Sequence, residues 1–588
     1  MRWLLRSADE AAVARLSAEA RVSPLVVRLL LLRGIETAEA VHDFFHPQIS
    51  QLHSPYLMLG MKAAVERLRA ALAGKEKILI YGDYDADGTL AIVVLKTALE
   101  LCGGQVEFHV PHRIREGYGM RDEVIEQAAA AGVRLVISVD NGIRAFAAAE
   151  AARRAGLDLI VTDHHLTEAG RLPQALAVLN PNQHGCEYPC KELCGAGVAF
   201  KLAQALLEEN GRAHLLPSFL KLVAIATVAD AVPLTGENRV FVRLGLEGLH
   251  SPRNPGLKAL LESAALYPAL DRKITAGDLG FRLGPRINAA GRMDVARDVI
   301  ELFSTRDSER AAELAAKLNR LNSERQEQEA QILAEICERL DANAAERTPL
   351  CLVLAGDGWH RGVIGIVATR VVERYHRPAL LISCDAETGE GHGSGRSIPA
   401  FHLLNALEDA SCRNFFTRFG GHAHAVGFSL PMANVADLRQ ALANYAAARL
   451  TPAELEPALE IDAELRWEEI NRDLISDLAR FDPCGLGNRE PVFAIRGAAQ
   501  RQPAQLLKEK HIKLRVGGAS GRAFDAIGWR MAERGQEPTL RAAGALDLAF
   551  TLEQNPNPEF PGLQLVLRDF KPAAGATAEE KLAAVTAV

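Results

Sequence analysis

Cysteine is scarce: nine residues in a chain of 588, too thin a supply for the disulfide framework of a secreted protein. Only Cys186, Cys190 and Cys194 cluster, with His184 nearby. Zinc ligands come more often as two close pairs, so a metal role for these three competes with a simpler reading as small, buried or partly exposed thiols. Long apolar runs are missing as well. The patch over residues 25–32 is short and interrupted by Arg28, no run reaches membrane-spanning length, and the N-terminus has no signal-peptide cleavage pattern. A cytoplasmic protein without membrane contact is expected. Nor is there an excess of positive charge. A net charge of −7 and a pI near 6.2 give no global sign of a polyanion ligand, but this excludes little. An acidic metal site adds negative charge of its own, and a polyanion needs only a local basic groove.

What the chain does have is length enough for about three to four domains, and one acidic stretch that organises the rest. Tyr81-Gly82-Asp83-Tyr84-Asp85-Ala86-Asp87-Gly88 follows the apolar run at 77–80 and sets three carboxylates at every second position, where a strand should end. Carboxylates held together need countercharge, protonation or abundant solvent. Divalent cations are the economical countercharge, since hard cations prefer oxygen ligands. By itself the stretch reads equally well as a solvated acidic loop.

From residue 77 onward, strands and helices alternate. Strands are expected at 77–80, 106–110, 135–139, 159–162 and 176–179, with helices near 89–101, 121–131 and 144–155. Such βα units predict a parallel, doubly wound sheet with its ligand outside the carboxyl ends of the strands. The acidic residues follow that rule. Asp83, Asp85 and Asp87 end the first strand, Asp140 the third and Asp163-His164-His165 the fourth, while a helix near 219–229 delivers Asp230. One Asp at a strand end is commonly a helix cap. Several converging on one sheet edge beside a His pair are hard to accommodate without partners, and two divalent cations resolve the conflict.

At this point the chain resembles the DHH phosphoesterase superfamily, and within it the bacterial exonucleases specific for single-stranded DNA. The resemblance is carried by the octapeptide 81–88, Val139-Asp140-Asn141-Gly142, Asp163-His164-His165 and Val228-Ala229-Asp230. It continues through Gly284-Pro285-Arg286-Ile287-Asn288-Ala289-Ala290-Gly291-Arg292, Gly358-Trp359-His360-Arg361-Gly362, Gly393-Ser394-Gly395-Arg396-Ser397 and Gly420-Gly421-His422-Ala423. It implies two Mn²⁺ or Mg²⁺ ions, with Asp85, Asp87, Asp140, His164 and Asp230 as ligands and Asp83 close by. His165 would face the scissile phosphate, and Asp163 would orient the loop or its neighbours. Arg113, Arg286, Asn288, Arg292, His360, Ser394, Arg396 and His422 become candidates for binding a 5′ terminal phosphate and the DNA behind it.

The fold class expected is α/β: a parallel-sheet DHH domain over 51–305, a long helix over 306–345, a smaller α/β DHHA1 domain over 346–452 and an OB-like β-barrel over 453–575. A helical lead-in over 1–50, of no legible role, precedes them and a loose Ala-rich tail, 576–588, follows. Residues 306–340 contain neither Gly nor Pro. Their two ends are apolar at helical spacing and the middle, 322–329, is polar, which suits a bridge between lobes. The glycines at 391–395 and 420–421 read as turns that let backbone amides approach a phosphate. Short alternating stretches after 454 suit a barrel that stacks single-strand bases, with Lys508, Lys510, Lys513, Arg515 and Trp529 as contacts. The linker motif at 481–488 carries Cys484 where the family more usually has an aromatic residue.

The activity implied is 5′-to-3′ exonucleolysis of single-stranded DNA with release of 5′-mononucleotides, in DNA repair and recombination. Family resemblance adds a single-strand-binding protein and a RecQ-type helicase as partners, and a monomer is expected. The alternatives are an oligonucleotide phosphodiesterase of the same superfamily, or a catalytically silent single-strand-binding scaffold.

Overall fold

Apolar residues gather into separate cores because the chain closes on itself in two units, one made of residues 1–51, 233–235 and 458 onward, the other of 52–232 and 236–457. The computed structural model describes residues 1–573 except 114, 118, 169, 269–272, 294–295, 519–520, 538–539, 541–544 and 556–561. The tail expected over 576–588 lies outside the described residues.

The N-terminal segment supplies strand β1 (Arg2–Leu5) and helices α1 (Glu10–Ala20), α2 (Pro24–Leu31) and α3 (Ala38–Phe45). Side chains of Asp9 and Thr37 cap α1 and α3, and a proline at the first helical position opens α2.

In the larger unit, α4 (Met61–Ala73) precedes β2 (Lys77–Tyr81), α5 (Ala86–Leu101), β3 (Gln105–His109), α6 (Asp122–Ala130), β4 (Val133–Val139), α7 (Phe146–Arg154), β5 (Asp158–Thr162) and β6 (Ala177–Leu179). The strands pair in the order β3-β2-β4-β5-β6, every pair parallel. The sheet predicted from βα alternation is therefore present, with element ends shifted by three residues or fewer. Helix α5 is buried along most of its length against α8 (Gly195–Glu209) and α9 (Leu216–Ala229), which is why its sequence is apolar on all sides rather than on one stripe. Beside it Lys201, fully buried, pairs with Glu237 at 3.0 Å, and Tyr188 donates to the same carboxylate. This closed set satisfies charges that burial would otherwise penalise.

The long helix runs from Ser308 to Ala342, 35 residues capped by Asp307, or about 50 Å. Its ends bury Leu314, Leu318, Ile332, Ile336 and Leu340 as expected, but the polar middle is not solvated throughout. Asn322 and Arg325 are buried, with Arg325 donating to Asn322 and to Glu329 at 2.7 Å. A short polar network serves the buried side of that stretch, while Ser323, Glu324, Gln326 and Glu327 stay exposed.

Beyond the helix, β7 (Leu352–Asp357), β8 (Ala379–Asp385), β9 (Glu390–Arg396), β10 (Arg418–Gly421) and β11 (Ala425–Pro431) form a second sheet in the order β10-β11-β9-β8-β7. The glycines expected as turns at 391–395 and 420–421 lie within β9 and β10 instead. The cause is packing: a Cβ at Gly393 would come within 2.0 Å of the Phe428 ring, and Gly391 and Gly395 are crowded on the same face by Leu430 and Leu403. Glycine at alternate positions lets large neighbours lie flat on the strand.

The smaller unit is completed by β12 (Ala458–Ile461), β13 (Ala463–Glu464), β14 (Phe493–Leu507), β15 (His511–Gly517), β16 (Ala523–Gly528), β17 (Ala545–Gln554) and β18 (Leu563–Pro572). Strands β14-β15-β16-β18-β17 close through a β14–β17 pairing into a five-stranded barrel, and β14 bends through register shifts to make the closure. The N-terminal segment finds its role here. Strand β1 pairs with β12, while Leu16, Val27, Leu30 and Phe45 share one core with Phe481, Phe493, Phe550 and Phe570. Leu234 is held in the same unit, its amide donating to the Leu486 carbonyl at 2.7 Å.

Candidate active site

The carboxyl ends of β2, β4 and β5 build the site. After β2 the chain turns through Asp83, which is 4% exposed, and Asp85 then caps α5 by accepting from the Gly88 amide at 3.0 Å. Asp87 stands in the first turn of α5, and its two oxygens accept from the Gly195 and Ala196 amides at 2.6 and 2.8 Å, where α8 begins. Two helix N-termini thus meet this carboxylate, a favourable field for a negative group. Asp140 follows β4 in a left-handed conformation, φ 59°. Such backbone costs energy and persists where surrounding structure demands it. Asp230 ends α9.

Around His164 these elements converge. Its Nε2 lies 3.2 Å from Asp140, 3.8 Å from Asp87 and 3.8 Å from Asp230. Three sets of potential ligand atoms fall within 4.8 Å of one another: Asp140, His164 and His165; Asp87, His164 and Asp230; and Asp83, Asp85 and Asp140. None of these sets includes Cys186, Cys190 or Cys194. Cys194 instead accepts from the Gly197 amide at the start of α8.

The residues fit divalent metal. Burial first, and then neighbouring carboxylates, push Asp83, Asp140 and Asp230 well above the usual carboxylate range. Burial likewise raises Asp87, with His164 opposing. Asp83 Oδ1 is buried without a hydrogen-bond partner, a defect in a fold that seeks no ligand. Burial lowers the pKa of His164 despite nearby Asp87, favouring the neutral imidazole that binds metal. Carboxylate oxygens with one or two imidazoles suit Mn²⁺ or Mg²⁺ better than zinc.

Asp163 stands behind the ligands. It accepts from the amides of Ile143, His164 and His165, and its contact with His165 Nδ1 is 2.7 Å. Burial would raise its pKa, but the bond to His165 and the charge of both imidazoles outweigh that and lower it. For His165 the same bond overcomes burial and favours the imidazolium.

A cationic pocket adjoins the carboxylates. The Arg113 guanidinium lies over the Tyr84 ring, 4.8 Å from its centre. Arg292 donates to the Gly362 carbonyl at 2.8 Å, and burial, then repulsion by Arg113, push its pKa down to about 9. Arg396 donates to Ser394 at 3.2 Å and is lowered by burial and again by Arg113. His360 accepts from the Gly362 amide, and His422, lowered by burial and then by His424, also has Arg396 in range. Two expected members are engaged elsewhere. Arg286 bonds Asn319 and the Arg282 carbonyl. Asn288 accepts from the Ala86 amide at 2.7 Å, tying the 284–293 helix to the metal loop. Gly291 lets that helix approach: a Cβ there would sit 2.2 Å from the Tyr84 carbonyl oxygen.

In the barrel, Lys513 and Arg515 both pair with Asp525. Lys508 takes left-handed backbone in the turn after β14, near Lys510, and Trp529 is 53% exposed against the edge of His511. Sequence reasoning missed Tyr84 and the Gly195 and Ala196 amides. The run Cys194-Gly195-Ala196-Gly197 at a helix start was the available signal for the amides.

Three family models match: the DHH family N-terminal domain over residues 77–227, the DHHA1 domain over 348–448 and the RecJ OB domain over 461–569. The chain is 40% identical to the single-stranded-DNA-specific exonuclease RecJ of Dickeya dadantii, over 84% of this chain and 86% of that protein. With the RecJ of Bacillus subtilis it is 38% identical over 91% of this chain and 66% of the longer relative. The crystal structure of RecJ from Thermus thermophilus in complex with Mn²⁺ matches with a TM-score of 0.83 at 28% identity, covering 97% of this chain and 80% of that one. The Mg²⁺ complex gives 0.77 at 27%, over 97% and 79%.

Proposed function

The chain belongs to the RecJ exonuclease family of DHH phosphoesterases, and on that premise we propose that it shortens single-stranded DNA from the 5′ end, releasing 5′-mononucleotides. It is a metal-dependent exonuclease acting on single strands, with a role in DNA repair and recombination. The polarity reading is supported by the Arg113, Arg292, Ser394 and Arg396 group. A terminal phosphate carries more charge than an internal diester, and clustered guanidiniums select for it.

When bound, two Mn²⁺ or Mg²⁺ ions held by Asp83, Asp85, Asp87, Asp140, His164 and Asp230 supply Lewis acidity at the scissile phosphate and lower the pKa of the attacking water. The chain's own residues do the rest. His165, oriented by Asp163 and favoured as the imidazolium by their bond, donates to a phosphate oxygen as charge develops. Arg113, Arg292 and Arg396 set which diester reaches the carboxylates, because the terminal phosphate anchors the strand one nucleotide away. Lys508, Lys510, Lys513, Arg515 and Trp529 hold further nucleotides through charge and stacking. Cytoplasmic location, a monomeric state, and cooperation with a single-strand-binding protein and a RecQ-type helicase complete the proposal.

The observation that carries this reading is the convergence on His164 of carboxylates from the end of β4, the start of α5 and the end of α9 beside an arginine cluster. The test uses single-stranded and duplex DNA labelled at either end, with Mn²⁺. Early release of the 5′ label as a mononucleotide from single strands is expected. Preference for duplex, or for the 3′ end, rejects the proposal.

A further inference from the structure

Beside the guanidinium pocket lies a second recess of about 450 Å³, whose lining includes Arg113, Arg361, His392, Arg418 and Ser429. Its position follows from strand register. Side chains alternate across a sheet, so His392 shares a face of β9 with Ser394 and Arg396, one step past Ser394 on the side away from Arg396. Across that face His392 is opposite Ser429, and Ser429 is opposite Arg418. The row is linked, with His392 Nδ1 3.0 Å from Ser429 Oγ and Arg418 Nε donating to the same oxygen at 3.2 Å. The next row runs from Ser394 across Gly427 to Gly420, and a Cβ at either glycine would meet open space. Bare backbone next to Ser394 is thus bordered by a polar, cationic rim.

The lining of the recess carries three guanidiniums and, among the described residues, no carboxylate, while Glu390 lies just outside it, 3.7 Å from His392 Nε2. Arg361 pairs with Asp385 at 3.0 Å from outside the lining, which positions it and offsets part of its charge. Phe419 and Phe428, opposite each other one residue off the Ser429 row, also border the recess, so aromatic wall and cationic rim meet over the open glycine floor. The recess is larger than one phosphate needs. Arg113 belongs to both spaces, so a group attached directly to the terminal phosphate enters the recess without leaving the guanidiniums.

We propose that this recess takes the β- and γ-phosphates of a 5′-triphosphate end, and that the enzyme therefore degrades 5′-polyphosphorylated single strands as well as monophosphorylated ones. The inference rests on the reading of Arg113, Arg292, Ser394 and Arg396 as the holder of the terminal phosphate. The reaction is the same hydrolysis. Water oxygen attacks the phosphorus of the first internucleotide diester, the bond from that phosphorus to O3′ of the terminal nucleotide breaks, and its electron pair and a proton go to O3′. The terminal nucleotide leaves with its triphosphate intact. The shortened strand carries a new 5′-monophosphate, so only the first cycle yields a nucleoside triphosphate.

The experiment uses the full chain with Mn²⁺ and three single-stranded oligonucleotides that differ only at the end: 5′-hydroxyl, 5′-phosphate and 5′-triphosphate. Products are resolved by ion-exchange chromatography for the parent and for Arg418→Ala, a change at an exposed side chain. The parent is expected to release one nucleoside triphosphate per triphosphorylated strand. Arg418→Ala is expected to cut that strand about tenfold more slowly at low concentration, since it loses a charge-assisted contact, and to cut the monophosphorylated strand at the parent rate. Absence of the triphosphate product, or a variant that slows both ends equally or neither, overturns the inference while leaving the terminal-phosphate pocket in place. Equal cleavage of hydroxyl and phosphate ends by the parent removes that pocket and the recess together.

Discussion

The metal centre and the guanidinium pocket present opposite charge problems within one folded unit. At the first, Asp83, Asp87 and Asp140 are buried at 2–4% exposure; burial and the charge of Asp85 raise the proton affinity of each, and Asp87, Asp230 and Asp83 add to that of Asp140. At the second, Arg113 lowers the pKa of both Arg292 and Arg396. The two groups sense each other, since Arg113 lowers Asp83 and Asp85 raises Arg292. Even so they do not neutralise one another: no carboxylate of the centre pairs with these guanidiniums among the described contacts. Each excess is left for a different ligand, cations from solution in one case and a phosphate of the strand in the other. A substrate phosphate bridges what the protein keeps apart.

The strongest way to break that contrast is to remove one charge from each side. Asp140→Asn suits the first, because Asn tolerates the left-handed backbone that Ala would strain. Turnover should fall by roughly a thousandfold or more, in line with losing a group that acts on the transition state. In EDTA the variant should melt no lower than the parent, since an amide relieves a crowd of buried carboxylates, whereas the rise in Tm that Mn²⁺ gives the parent should be lost. A destabilised apo protein with an intact Mn²⁺ response would show that Asp140 is structural. On the other side, Arg396→Ala should raise KM for 5′-phosphorylated strands by about tenfold to a hundredfold, leave the Mn²⁺ requirement alone, and narrow the gap between phosphate and hydroxyl ends. Should the metal requirement shift as well, the two sites are one.

Much of the metal centre was legible because a parallel sheet converts sequence order into spatial order. A carboxylate just past each strand must reach the same edge, so Asp83, Asp140 and Asp163 could be grouped without coordinates. The arginines were harder. Arg286, Asn288 and Arg292 share one short segment, yet on its helix Arg286 points away from the face that Asn288 and Arg292, four residues apart, have in common. Only Arg292 joins Arg113, while Arg286 bonds back to its own neighbourhood. Glycine was misread where it lies in β9, because a Gly-x-Gly-x-Gly pattern says that something approaches the backbone but not whether it is phosphate or a phenyl ring. The placement of residues 1–51 beside the barrel depends on long-range pairing of β1 with β12, and local pattern carries no trace of that.

The smallest expected effect comes from two glycines that do the same steric work on opposite sides of the contrast. At Gly291 an added methyl would meet the Tyr84 carbonyl, the backbone between Asp83 and Asp85, whereas at Gly393 it would meet the Phe428 ring. Overpacking costs about 1–3 kcal/mol in either place, but the strain has different outlets. Gly291→Ala should push on the loop that spaces the carboxylates, so beside a comparable drop in melting temperature the Mn²⁺ concentration for half-maximal activity should rise by about threefold to tenfold. Gly393→Ala has only core to displace. It should lower the melting temperature by about 2–4 °C while the Mn²⁺ titration stays where it was. A titration series with both variants decides the matter. If both shift metal dependence alike, the second sheet supports the carboxylates mechanically, and the division of labour between cation site and phosphate site fails.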